Sequence, residues 1–298
     1  MTPLGVERPP VQLCYLLACT YEALARKPGN VHRLRGFSDV GLHDFLVSAA
    51  ATAPLLGDAS GLGVGDMVLQ GTRRTRQLVP SNTNLGILLL MAPLAAVPEK
   101  VSLERGIEPV LAALTLADSE AVFAAIRLAR PGGLGQSQEQ DVADAPTLPL
   151  RQVMALAAER DLIARQYVNG FRDVFAIGVP ALQEGLQRGW PLEEAIVWCA
   201  LRFMSAHPDS LMVRKRGIEE AHGASRWAAE IVASGWPEAE RSQLALVEFD
   251  AWLRAEGNRR NPGSTADLVA ASLFAALRDG TMQLPVEAGF CSNRILLH

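Results

Sequence analysis

The stretch that most constrains this chain is Pro80-Ser81-Asn82-Thr83-Asn84-Leu85-Gly86 and the run Ile87 to Val97 behind it. Four short polar residues precede about a dozen apolar ones, with a proline at the head of the block, which is how a helix buried on all sides begins. Ser81, Asn82, Thr83 and Asn84 are each competent as N-cap, and a capped N-terminus leaves backbone N–H groups pointing outward with partial positive charge. Such an end is either an ordinary cap on a core helix or a seat for an anion. The longest apolar run, Leu85 to Val97, contains Gly86 and Pro93 and falls short of the roughly 20 residues a membrane span needs.

The rest of the chain follows the same helical pattern. Val11 to Arg26 is apolar at i, i+3 and i+4 spacing and stops at Pro28-Gly29. Further helices are expected from about 38 to 56, 67 to 78, 102 to 116, 119 to 128 with Ser119 as N-cap, 149 to about 177, 180 to 188, 191 to 206, 217 to 234, 238 to 255, and from 264 through Leu277. Sustained alternation of β-branched residues is missing apart from ambiguous scraps near Phe290 to Leu297. The reading is all-α: one domain over residues 1–298, a bundle of ten to thirteen helices around a central buried helix, with residues 1–10 a flexible N-terminus.

With 49 % hydrophobic and 20 % charged residues, a sizeable core is available and global disorder is excluded. The net charge of −4 argues against coating a nucleic acid, so any anionic ligand has to be met locally. Cys14, Cys19, Cys199 and Cys291 lack C-x-x-C spacing and read as reduced thiols. The N-terminus is unlike a signal peptide, and a cytoplasmic protein without a membrane partner is expected.

Four polar islands interrupt the helices: residues 27 to 35, 80 to 86, 207 to 217 and 258 to 267. Each pairs proline or glycine with short polar side chains, and three carry clustered Lys or Arg. Brought to one face of a bundle, they offer what a polyphosphate needs: helix N-termini, cations, and a carboxylate or two for Mg²⁺. Taken singly they are a solvated basic turn, a core-helix cap, a cap after Pro208 and a first-turn acid favoured by the helix dipole. Arg73, Arg74 and Arg76 read as a solvated basic face. The segment Pro131 to Asp141 is either a linker or a lid, of which the lid is preferred.

In order, these islands stand as Lys27-Pro28-Gly29-Asn30-Val31, Asn82-Thr83-Asn84-Leu85-Gly86, Asp209-Ser210 with Arg214-Lys215 and Gly217, and Asn261-Pro262-Gly263-Ser264-Thr265-Ala266-Asp267-Leu268. The set resembles the motifs of the triphosphoribosyl-dephospho-CoA synthase family and covers most of the chain. The resemblance implies an all-helical transferase, a pentosyltransferase that moves the triphosphoribosyl group of ATP onto a hydroxyl such as the 2′-OH of 3′-dephospho-CoA and releases adenine. It implies Mg²⁺ with the ATP. Asp209 and Asp267 are then the catalytic and metal-binding carboxylates. Lys27, Gly29, Asn30, His32, Arg33, Asn82, Thr83, Asn84, Arg214, Lys215 and Ser264 are the nucleotide-binding residues.

Two departures bear on the acceptor. His32-Arg33 stands where family members often carry an acid, and Asn84 stands where they carry a histidine. A K-P-G-N-V-H-R branch of the family occurs with methanopterin-like one-carbon carriers, so a different acceptor in that type of cofactor biosynthesis remains open. So do a Mg²⁺-dependent nucleotide or ADP-ribose hydrolase and a helical scaffold, although Asp39, Asp44, Asp58 and Asp66 form no tight acidic doublet. The other histidines, His43, His207 and His222, read as surface or pocket residues. A homodimer is compatible with the sequence.

Overall fold

The computed structural model describes residues 9–57, 61–133 and 139–297. Residues 1–8 of the expected flexible N-terminus, and residues 134–138 of the expected lid, lie outside them. Among the described residues the secondary structure is helical: α1 Val11–Leu24, α2 Leu42–Gly57, α3 Val64–Leu78, α4 Leu85–Ala95, α5 Leu103–Ala112, α6 Leu116–Ala129, α7 Leu150–Ala157 and α8 Leu162–Asn169. A π-turn at Val174–Gly178 runs into α9 Val179–Gln187, followed by α10 Leu192–Ala206, α11 Ser210–Arg216, α12 Ile218–Ala233, α13 Glu240–Arg254 and α14 Gly263–Arg278. No single helix among them is long and apolar enough to cross a membrane.

Two buried helices form the centre. In α4, ten of eleven residues are buried, and only Gly86 is partly open. That all-round apolarity leaves no side for water, so the helix must be wrapped. It is wrapped by α2, α3, α5, α6, α8 and α14. Helix α14 is buried from Leu268 to Arg278 and touches α1, α4, α9, α10 and α11. Each fully buried leucine in this pair contributes about 1.5–3 kcal/mol of burial. Small residues permit the close approach: a β-carbon on Gly71 of α3 would lie 2.8 Å from both methyls of Leu88 in α4.

The structure corrects several boundaries. Thr115, rather than Ser119, caps α6, in a reciprocal capping box with Asp118. The helix expected from 149 to 177 is three pieces, because Asp161 caps a new helix by accepting from the Ile163 and Ala164 N–H groups, and Gly170, at φ 67°, ends it. The 207–217 island holds a short helix, α11, capped by Asp209.

The scraps near residues 290–297 are not strands. They are an extended tail clamped to the start of α10. Leu192 and Glu193 N–H groups donate to the Gly289 and Phe290 carbonyls, both at 3.0 Å, and the fully buried Glu193 carboxylate accepts from Ser292 N–H at 2.9 Å.

Candidate active site

The N-terminus of α4 opens into a cavity of about 1000 Å³. Asn82 is the residue that caps the helix, its Oδ1 accepting from Leu85 N–H at 3.2 Å, while the Asn84 side chain turns back to donate to Thr75 Oγ1 at 3.0 Å. The Gly86 and Ile87 N–H groups find no acceptor among the described residues, so this positive helix end is open to the cavity. Gly86 is required by a neighbour: a β-carbon there would overlap the carboxylate of Asp267, which reaches across from the first turns of α14.

Asp267 has no hydrogen-bond or ion-pair partner among the described residues. Burial, then the nearby carboxylates of Glu22, Asp209 and Asp161, push it well above the ordinary carboxylate range against the pull of Arg214. A carboxyl raised by three other acids and bonded to none of its surroundings holds a proton or awaits a cation.

Glu22 faces the same cavity from the last turn of α1. It is buried, and its one ion-pair partner is the fully buried Lys27, with Nζ 2.9 Å from Oε1 and a further bond from Nζ to the Glu22 carbonyl. Lys27 therefore stands behind Glu22 and does not line the cavity.

The cationic side is formed by α11. Arg214 pairs with Asp161, and Lys215 donates from Nζ to the Asn258 carbonyl at 3.1 Å; both line the cavity. Burial pushes the Lys215 ammonium down from the ordinary lysine range, with Asp39 and Asp209 pulling the other way. Asn258, Asn261, Gly263 and Ser264 continue this wall. The lining also includes apolar side chains, among them Leu89, Val122, Phe123, Ile126, Met154 and Ile163.

Asp209 is elsewhere. It is buried behind the wall, where Oδ1 accepts from Met212 N–H at 3.0 Å and Oδ2 from Thr265 N–H at 2.7 Å, so one carboxylate ties the N-termini of α11 and α14 together. Burial raises its pKa, and those two backbone donors oppose the rise.

The 27–35 loop is divided in the same way. Asn30 lines the cavity, while Gly29, His32 and Arg33 support the loop from behind. Gly29 sits at φ 73°, donates to Asp250 Oδ1 at 2.7 Å and accepts from Asn261 Nδ2 at 3.0 Å, which joins the loop to α13 and to the start of α14. A β-carbon on Gly29 would meet Leu253 Cβ at 2.9 Å. Arg33, with Arg26, pairs with Glu193. His32 is buried with its Nε2 unpartnered, and burial followed by Arg254, Lys27, Arg26 and Arg33 holds its pKa down at about 3.

The predicted side chains thus fall into two groups. Asn30, Asn82, Thr83, Asn84, Arg214, Lys215, Ser264 and Asp267 share the cavity; Lys27, Gly29, His32, Arg33 and Asp209 do not line it. Sequence reasoning passed over Glu22, Asp161 and Arg130, and it read Arg76 as surface although its side chain lines the cavity and bonds to the Pro80 carbonyl. Glu22 had a signal: it continues the Tyr15–Cys19 stripe at i, i+4 and i+7 on the buried face of α1, where an acid is out of place. The described ends of the 131–141 segment, Pro131 to Gly133 and Glu139 to Asp141, line the cavity.

Residues 10–285 match the family model for ATP:dephospho-CoA triphosphoribosyl transferase. Over 105 residues, 35 % of this chain, the sequence is 28 % identical to the 2-(5''-triphosphoribosyl)-3'-dephosphocoenzyme-A synthase of Klebsiella pneumoniae. Over 133 residues, 42 % of the chain, it is 28 % identical to a protein given the same description in Pseudomonas savastanoi pv. phaseolicola. These matches span 37 % and 45 % of the two curated relatives, less than half of each. A crystal structure from Archaeoglobus fulgidus, described as a triphosphoribosyl-dephospho-CoA synthase, superposes with a TM-score of 0.60 at 26 % identity, covering 79 % of this chain and 99 % of that one. Fold and site together define an all-α protein built around one cavity that gathers cationic, carboxyl and amide side chains. The chain belongs to the ATP:dephospho-CoA triphosphoribosyl transferase family.

Proposed function

We propose that this protein transfers the triphosphoribosyl group of ATP onto a hydroxyl of a nucleotide-like acceptor, with the 2′-OH of 3′-dephospho-CoA the first candidate, and releases adenine. One observation carries the reading: the open N-terminus of α4 and the cations of α11 face the same cavity as two differently held carboxyls, Glu22 and Asp267. Helix end and cations suit a triphosphate; the carboxyls suit chemistry at the sugar beside it. At about 1000 Å³ the cavity lies at the upper end of the range for a single ligand, leaving room for donor and acceptor together.

The reaction breaks the bond from ribose C1′ to adenine and forms one from C1′ to the acceptor oxygen. The acceptor hydroxyl gives up its proton, and adenine leaves with one. Glu22, ion-paired to Lys27, is the base within the cavity, in the manner of the paired carboxyls of inverting glycosidases. Magnesium enters as part of the nucleotide substrate. Of the two carboxylates expected to meet it, Asp267 is unengaged, whereas both oxygens of Asp209 already accept backbone N–H. One carboxylate added to phosphate oxygens and water is a ligand set that Mg²⁺ accepts.

The test is incubation of the full chain with Mg–ATP and dephospho-CoA, followed by chromatography for free adenine. Adenine released only when acceptor is present is the expected result. Release of ADP or inorganic phosphate without adenine overturns the reading.

A further inference from the structure

Helix α6 ends on Arg130 at φ 49° and ψ 59°, in the left-handed region. Helices commonly finish there, but on glycine, as α8 does with Gly170 at φ 67°, because a β-carbon is strained in that conformation. Pro131 follows directly and restricts the backbone of Arg130 further.

A cation placed only to offset the helix dipole does not need this backbone. Arg127, in the last turn, fills that role from ordinary helical geometry, its guanidinium donating to the Val142 carbonyl at 2.6 Å. Arg130 is different. Its side chain is exposed, lines the cavity, and has no hydrogen-bond, ion-pair or ring partner among the described residues.

The two residues that follow Pro131 lie against α11. A β-carbon on Gly133 would be 3.1 Å from Arg214 Cβ, and one on Gly132 would be 3.2 Å from Lys215 Cε. The strained arginine is therefore tethered to the end of the cavity that already holds Arg214 and Lys215. Those two are engaged, one with Asp161 and the other with the Asn258 carbonyl. Arg130 arrives with all its donors open.

Backbone strain kept at a cavity mouth, with an unengaged guanidinium as its result, calls for a ligand that uses the guanidinium. We propose that Arg130 is a ligand-binding residue that, with Arg214 and Lys215, holds the oligophosphate chain of the nucleotide substrate. The inference rests on the reading of the cavity as a nucleoside triphosphate site and adds to it the residue that closes the cationic end. Arginine suits this place because its planar fork can give two parallel N–H bonds to one phosphate.

The experiment compares the wild-type chain with Arg130→Gly and Arg130→Lys. It measures thermal unfolding without ligand, and calorimetric titration with Mg–ATP and, separately, with inorganic tripolyphosphate. Glycine relieves the strain and removes the charge, so Arg130→Gly is expected to melt roughly 1–4 °C higher. Its Kd for tripolyphosphate should weaken about 10-fold or more, the size of a lost charge-assisted hydrogen bond. Arg130→Lys keeps the charge and loses the fork, and should fall between the two in affinity while melting with the wild type.

If Arg130→Gly binds tripolyphosphate as tightly as a wild type that binds it well, the assignment of Arg130 fails and the nucleotide reading stands. If the wild type binds neither Mg–ATP nor tripolyphosphate, the nucleotide reading fails and this inference with it. A lower melting temperature for Arg130→Gly would remove the strain on which the assignment rests.

Discussion

Two carboxyls facing one cavity are held so differently that their variants should separate chemistry from stability. Asp267 is bonded to nothing among the described residues and is raised by burial and by neighbouring acids, so the fold gains little from it. Asp267→Asn is therefore expected to melt at or above the wild-type temperature at neutral pH while losing about 10²-fold or more in adenine release. A proportional loss of both would make Asp267 a structural acid. Glu22→Gln leaves the buried Lys27 ammonium without its partner and should lower stability as well as turnover. Adding Lys27→Met to Glu22→Gln should restore much of the stability and none of the activity.

Gly86 extends the same logic. Alanine is preferred to glycine in a helix by about 1 kcal/mol, yet a β-carbon at this position overlaps the Asp267 carboxylate. Gly86→Ala should thus cost at least about 10-fold in turnover, and in an Asp267→Asn background it should cost little more. Additive losses would show that Gly86 acts independently of Asp267.

At the scale of elements, the sequence carried the helices well because their signals are local. Pro191 before Leu192, Gly217 after Arg216 and the unbroken apolarity of α4 each act within a few residues. Glu22 and Lys27 were separately visible, but their pairing depends on the turn after α1 folding back, which no spacing rule encodes. The same holds for Asp209. Its proximity to Pro208 suggested a cap, which it is, while its second bond, to Thr265 N–H, joins residues 56 positions apart. Arg26, Arg33 and Glu193 form a similar distant contact. Read along the chain, Arg33 looks like part of a basic phosphate loop, yet in the fold it converges with Arg26 on one buried carboxylate that also pins the tail through Ser292 N–H. Those partners outweigh burial and hold the Glu193 pKa down to about 2. Glu193→Gln should accordingly destabilise the protein by about 3–5 kcal/mol in urea unfolding, the range for breaking a buried pair, and expose residues 291–297 to proteolysis. Unchanged stability would mean that the tail is held by its backbone bonds alone.

For the molecule as a whole, the depressed pKa values set how it responds to acid. His32 titrates at about 3 in the fold against an ordinary value of 6.5, because burial and the charges of Arg254, Lys27, Arg26 and Arg33 disfavour its cationic form. The unfolded chain takes up that proton first. The stability His32 contributes is therefore fully present above its ordinary value and is lost as pH falls from there toward 3. Glu193 and Asp173, each held down to about 2, add their losses only below the ordinary carboxylate range. Acid weakening should then begin with His32, in a window where those two carboxylates are still charged. Asn at position 32 can still accept the Leu34 N–H bond that His32 Nδ1 receives at 3.2 Å, but cannot titrate. Melting temperatures recorded from neutral pH down to about pH 5 should fall less steeply for His32→Asn than for the wild type. Parallel curves would mean that His32 takes up its proton in the fold as readily as in the unfolded chain, and that other groups set the acid limit.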